Sequence, residues 1–112
     1  MNDRKTIEPY KGEIINAIND VENFTTNLDM VSFIKDVKTY KATVMSLVLI
    51  GELASKIPPE IRSQNTKIPW GDIIGLRNRI SHDYFSLDEK VLWQTIKESL
   101  PELKIEIKKL HD

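Results

Sequence analysis

A chain of 112 residues with 40% hydrophobic and 29% charged side chains can bury one core and has the balance of a folded protein, which excludes disorder and leaves little for a second domain. A formal net charge of −1 excludes the overall basic field of a protein that coats nucleic acid, so any contact of that kind has to be local. With no cysteine, disulfides and cysteine-ligated zinc are excluded, and His82 and His111 are too few for a multi-histidine centre, so no metal and no cofactor are expected.

Residues 1–112 are therefore read as one domain. The opening MNDRKTIEPY lacks the apolar run of a leader, and no stretch reaches the roughly 18 unbroken apolar residues needed to cross a bilayer. No membrane partner and a cytoplasmic location are expected.

In chain order, Ile7, Tyr10, Ile14, Ala17, Val21 and Phe24 recur in steps of three and four, the stripe of an amphipathic first helix. Leu28 to Asp36, with Met30, Val31, Phe33 and Ile34, reads as a short helix or turn. From Thr39 to Lys56 the chain is apolar nearly all round between Ala42 and Ala54, which predicts a central buried helix. Pro58 and Pro59 end it, because proline lacks an amide hydrogen and restricts its predecessor. The stretch to Lys67 reads as a connection with a turn of helix, and Pro69 suits the first turn of a helix from about Trp70 to about Ser81. Ser86 and Glu89 have the spacing of a capping box, which predicts a last helix from about Leu87. Its stripe runs through Leu92, Ile96, Leu100, Leu103, Ile107 and Leu110, with Pro101 marking a kink or restart. The expected fold is all-α, an up-and-down four-helix bundle with an additional short helix.

Within GLRNRISHDYF, Arg77, His82 and Tyr84 form the pattern R-x4-H-x-Y. In a chain of this composition, an Arg with His five places on arises by chance roughly 7 times in 100, and the tyrosine lowers this to about 2 in 1000. The motif with its surroundings, IPWGDIIGLRNRISHDYF and LIGELASKIP, resembles the HepT-like toxin branch of the HEPN ribonucleases over most of the chain. That resemblance implies a homodimer, RNA as substrate, and a cognate minimal nucleotidyltransferase as antitoxin partner that attaches AMP to Tyr84.

The chemistry required suits the residue types. Breaking RNA without a metal needs a base for the 2′-hydroxyl proton, an acid for the leaving oxygen and a cation for the phosphate. Histidine titrates near neutrality, and the arginine fork offers a phosphate two donors. Arg77 and His82 are thus the expected catalytic pair of a metal-independent endoribonuclease. One chain supplies one motif histidine for two proton-transfer roles, and a two-fold dimer would bring a second copy into one composite cleft. On an ideal helix Arg77 and His82 lie some 140° apart at about 100° per residue, whereas Asn78 and His82 share a face, so Asn78 is the expected support of the imidazole. The helix is expected to break near His82.

Plainer readings stand beside these. Arg77 taken alone is a surface arginine, and His111 is a capping residue. Tyr84 and especially Phe85 suit core aromatics closing a helix end, and Trp70 suits packing. Glu52, amid an apolar helix, either faces the site or reaches solvent or a partner. Arg62, Lys67 and Arg79 suit a basic approach or merely a solvated face. The competing function is a non-catalytic HEPN module that docks a nucleotidyltransferase or binds RNA.

Overall fold

The structure, a computed structural model, describes residues 7–111. The first six residues of the opening read above as free of a leader lie outside this range, as does residue 112.

The first helix, α1 (Glu8–Phe24), has its proline in the first turn, where a missing amide hydrogen costs nothing. It buries Ile14, Ala17, Ile18 and Val21. After it the chain turns through Asn27 at φ 64, a left-handed conformation that asparagine tolerates better than most residues. Asp29 then opens α2 (Met30–Lys35): its carboxylate accepts from the Ser32 amide at 2.8 Å and the Ser32 hydroxyl accepts from the Asp29 amide at 3.0 Å. Asp36 does the same for α3 (Val37–Lys56), accepting from the Thr39 amide at 3.1 Å and the Thr39 hydroxyl at 2.8 Å. These bonds favour the ionised form, and both carboxyls titrate below the usual 3.8, the Ser32 and Thr39 amides being the chief causes.

As expected, α3 is central, packed between α1 and the motif helix. Its all-round apolar sequence is not matched by all-round burial, however. Met45 is 65% and Leu49 44% exposed, and with the exposed Glu52 they form an uncovered stripe at i, i+4 and i+7.

Two prolines end α3, and α4 (Pro59–Gln64) fills the connection. Hydrogen bonds fix it locally: Arg62 Nε donates to the Ile57 carbonyl at 3.0 Å, Asn65 Nδ2 to that of Ile61 at 2.7 Å, and the buried Trp70 indole to that of Asn65 at 3.1 Å.

The motif helix is α5 (Trp70–Asp83), followed by a 3-10 turn, Tyr84–Ser86. The predicted capping box does not form. Asp88 caps α6 (Glu89–Gln94) instead, accepting from the Lys90 and Val91 amides at 3.0 and 3.2 Å. A π-helical turn, Thr95–Ser99, carries α6 into α7 (Leu100–Lys108) without a break in helical backbone angles. Pro101 explains the wide turn: in a regular α-helix its ring would press on the carbonyl four residues back, and the extra residue makes room. All six residues of the predicted final stripe are buried. Lys104 ties α7 to α1 through Asn19 at 2.9 Å and Glu22 at 2.8 Å, and Lys11 donates to the Leu110 carbonyl at 2.6 Å.

The result is the expected all-α bundle of α1, α3, α5 and the α6–α7 rod, with α2 and α4 as short extra helices. The rod closes against α1 through α7. Between the rod and α5 a cleft of about 260 Å³ remains, lined chiefly by aliphatic side chains such as Leu47, Ile73, Leu76 and Leu100. No described helix is long and apolar enough to cross a membrane.

Candidate active site

The site begins with how closely α5 can approach α3. Ile80 is buried, Ile73 and Leu76 are half-buried, and together they form the stripe that seats α5. Opposite them stands Gly51. A Cβ there would lie 3.1 Å from the Ile73 carbonyl oxygen and closer still to the Arg77 Cβ, so only glycine permits this contact. The Arg77 stem lies in the space thus provided.

Its guanidinium is then fixed from two sides. One terminal nitrogen pairs with Glu52 Oε1, and Nε donates to Asn78 Oδ1 at 2.8 Å. Of the five N–H groups of arginine, these contacts use two and leave three for an oxyanion. The Arg77 side chain is 20% exposed and Glu52 49%, so the pair sits at the surface, where an anionic ligand can reach it. Glu52 is thereby placed in the site, as one of the readings of the sequence allowed. Gly51 was not singled out, and its only signal was a glycine within an otherwise apolar helix.

Asn78 departs from expectation. It engages Arg77, not the imidazole, because the neighbouring guanidinium is a stronger donor than the ring one turn away. His82 is exposed in the last turn of α5 and has no hydrogen-bond partner among the described residues. The helix ends near it, as expected: α5 runs through His82 and leaves helical geometry one residue later, at Asp83 with φ −151 and ψ 56. The helical separation of Arg77 and His82 therefore applies, and no direct bond joins them within one chain.

Tyr84 follows in the 3-10 turn, half-buried, its ring edge-on to Tyr40 at 6.2 Å and to Phe85 at 5.1 Å. Phe33 continues the cluster, 5.4 Å from Tyr40 and 5.2 Å from Trp93. Burial, helped by nearby Tyr84 and Glu89, pushes the Tyr40 hydroxyl above its usual value of 10.0, so it stays a neutral donor. Phe85 overturns its core reading: it is 96% exposed, because the short turn points it away from the bundle. Ile34, Val37, Tyr40, Tyr84, Phe85 and Glu89 enclose a recess of about 230 Å³. The larger cleft beside α5 is lined by Arg79 but by none of Arg77, His82 and Tyr84. His111 is exposed, with Nδ1 3.1 Å from the Lys109 carbonyl, a terminal contact. Among the described residues, no three His, Cys, Asp or Glu side chains converge as a metal site would require.

A family model described as "Ribonuclease HepT-like" matches residues 14–110. A Thermococcus cleftensis protein named "Probable ribonuclease HepT" is 35% identical, covering 96% of this chain and 97% of its own. A Methanocaldococcus jannaschii protein is 34% identical over 96% of this chain and 88% of its own, and one from Caldanaerobacter subterraneus is 32% identical over 95% of both; each is named as a candidate RNase. No solved structure matches significantly.

Proposed function

The chain belongs to the HepT-like ribonuclease family, and on that premise we propose that it is a metal-independent endoribonuclease, the toxin of a type VII-like toxin–antitoxin pair. The observation that carries this reading is the Arg77 guanidinium, fixed by Glu52 and Asn78 with three N–H groups still free. It holds the non-bridging oxygens of the scissile phosphate. The 2′-hydroxyl gives its proton to one His82 and attacks phosphorus, while the bond to the 5′-oxygen breaks and that oxygen takes a proton from a second His82. The products are a 2′,3′-cyclic phosphate and a 5′-hydroxyl.

Two imidazoles require two chains. The uncovered stripe of Met45 and Leu49, which leads directly to Glu52 and Arg77, supports a second copy docked there as a homodimer with a composite site.

Control falls to Tyr84. A cognate minimal nucleotidyltransferase joins its hydroxyl oxygen to the α-phosphorus of ATP, releasing pyrophosphate, and the phenolic proton passes to solvent. The added phosphate competes for the cations that bind RNA.

Unmodified protein incubated with RNA in a chelator is the test. Cleavage that disappears in His82→Ala, with the dimer intact, is the expected result. Activity that vanishes with chelator refutes metal independence. Exposure to the partner enzyme and ATP should add about 329 Da per adenylyl group and abolish cleavage, and Tyr84→Phe should gain nothing. A second reading, a HEPN module that docks the nucleotidyltransferase or binds RNA without cutting it, draws on the absence of a direct Arg77–His82 bond within one chain. RNA binding without cleavage under every condition would favour it.

A further inference from the structure

We propose that the recess closed by Tyr84 and Phe85 is a nucleobase subsite for single-stranded RNA, with Phe85 as its stacking face and Glu89 reading the edge of the base. The proposal rests on the ribonuclease reading for its ligand class and adds where a base is held.

The argument starts from Phe85. A phenyl ring 96% exposed is costly in water and is held in place by its edge contact with Tyr84 at 5.1 Å. It borders a recess of about 230 Å³ whose other walls are Ile34, Val37 and the ring of Tyr40, itself edge-on to Tyr84. Apolar walls beside a solvent-facing aromatic ring suit a flat, uncharged heterocycle.

Charge narrows the occupant. Lys35, Lys41 and Lys90 immediately follow Ile34, Tyr40 and Glu89 in sequence; all three are exposed and make no salt bridge among the described residues. Asp36 and Asp88 beside them cap α3 and α6 and Asp83 is exposed, so the stretch carries both signs, and its lysines are the points at which a polyanionic backbone can attach. On the wall of the recess, the exposed Glu89 carboxylate repels phosphate and accepts N–H groups, so the base rather than the backbone enters. Guanine presents a ring N–H and an amino group side by side, matching the two carboxylate oxygens. Uracil has one N–H between two carbonyls and fits worst. The base of a duplex is stacked and paired, so the subsite takes single strands. His82 lies two residues before Tyr84, which places the held base close to the proposed cleavage site.

The test is fluorescence anisotropy with short labelled 2′-O-methyl oligoribonucleotides, which lack the attacking hydroxyl and cannot be cleaved. The full unmodified chain should prefer guanine-rich over uracil-rich strands and bind duplex poorly. Phe85→Ala should weaken guanine-rich strands about tenfold, the order expected for one lost base stack, while Phe85→Trp restores binding. Glu89→Gln should narrow the guanine-to-uracil preference. Equal binding by wild type and Phe85→Ala overturns the proposal. So does a Phe85→Ala variant whose defect is explained by dissociation into single chains in light scattering, which would make the ring a protein contact. Binding that follows these expectations without any cleavage of ordinary RNA counts against the nuclease reading alone. Normal cleavage with no contribution from Phe85 counts against the subsite alone.

Discussion

Glu52 fixes the guanidinium on which the proposed chemistry depends, yet the pair lies at the surface, with Glu52 half-exposed. Exposed ion pairs contribute roughly 0.2–1 kcal/mol to stability, so Glu52→Gln should leave the urea midpoint nearly unchanged. If Glu52 positions Arg77, the same variant should lower kcat about tenfold with little change in KM. A fall in stability with unchanged turnover would make Glu52 merely structural. Gly51→Ala should behave differently. Its methyl group meets the Ile73 carbonyl and the Arg77 stem, neither of which can move far, so the helices must separate at a cost of about 1–3 kcal/mol. Both the urea midpoint and cleavage should drop. The motif residues Arg77, His82 and Tyr84 were legible because they lie close together in sequence. The contact of Glu52 was not, because it follows from the approach of two helices some 25 positions apart at a glycine, and the choice of Asn78 for Arg77 was not, because helical spacing favours the partner four places on over the chain neighbour. Phe85 was misread for a related reason: apolar character indicates a preference for burial, and a three-residue turn overrode it.

The helices themselves were largely predictable from apolar spacing: the final rod buries its whole expected stripe, whereas α1 leaves Phe24 exposed, α3 leaves Met45 and Leu49 exposed, and α5 buries Ile80 with Ile73 and Leu76 half-buried. Their ends were less so. Ser86 and Asp88 both precede Glu89 at spacings compatible with a cap, and the 3-10 turn at Tyr84–Ser86 decides for Asp88. The π turn was visible only indirectly, through Pro101. The caps of α2 and α3 carry a pH dependence. Asp29 and Asp36 have folded-state values lowered below 3.8, so in the folded chain they stay ionised at pH values where the unfolded chain has taken up protons. Their stabilisation is therefore present above the unfolded value and is lost as pH falls through the lowered ones. The double variant Asp29→Asn, Asp36→Asn should flatten the acid limb of stability against pH below about 4, as followed by helical circular dichroism. An unchanged limb would show that other carboxylates govern acid unfolding.

At the scale of the molecule, the proposed nuclease depends on a second copy. Met45→Glu places a charge at the start of the uncovered α3 stripe, on a side chain already 65% exposed. It should yield single chains in light scattering, retain the helical spectrum and lose cleavage by at least about a hundredfold, as expected when one of two acid–base groups is removed. A dimer that survives this change places the interface elsewhere. The bundle's packing also has an operational consequence. The helix carrying Arg77 and His82 rests on α3 along one side and faces the open cleft on the other. It should therefore detach before α1, α3 and the rod come apart. On gradual warming, catalytic output would fade at temperatures where ellipticity still reports an intact protein, and prompt cooling would restore it. The working helix would then act as the molecule's thermal fuse.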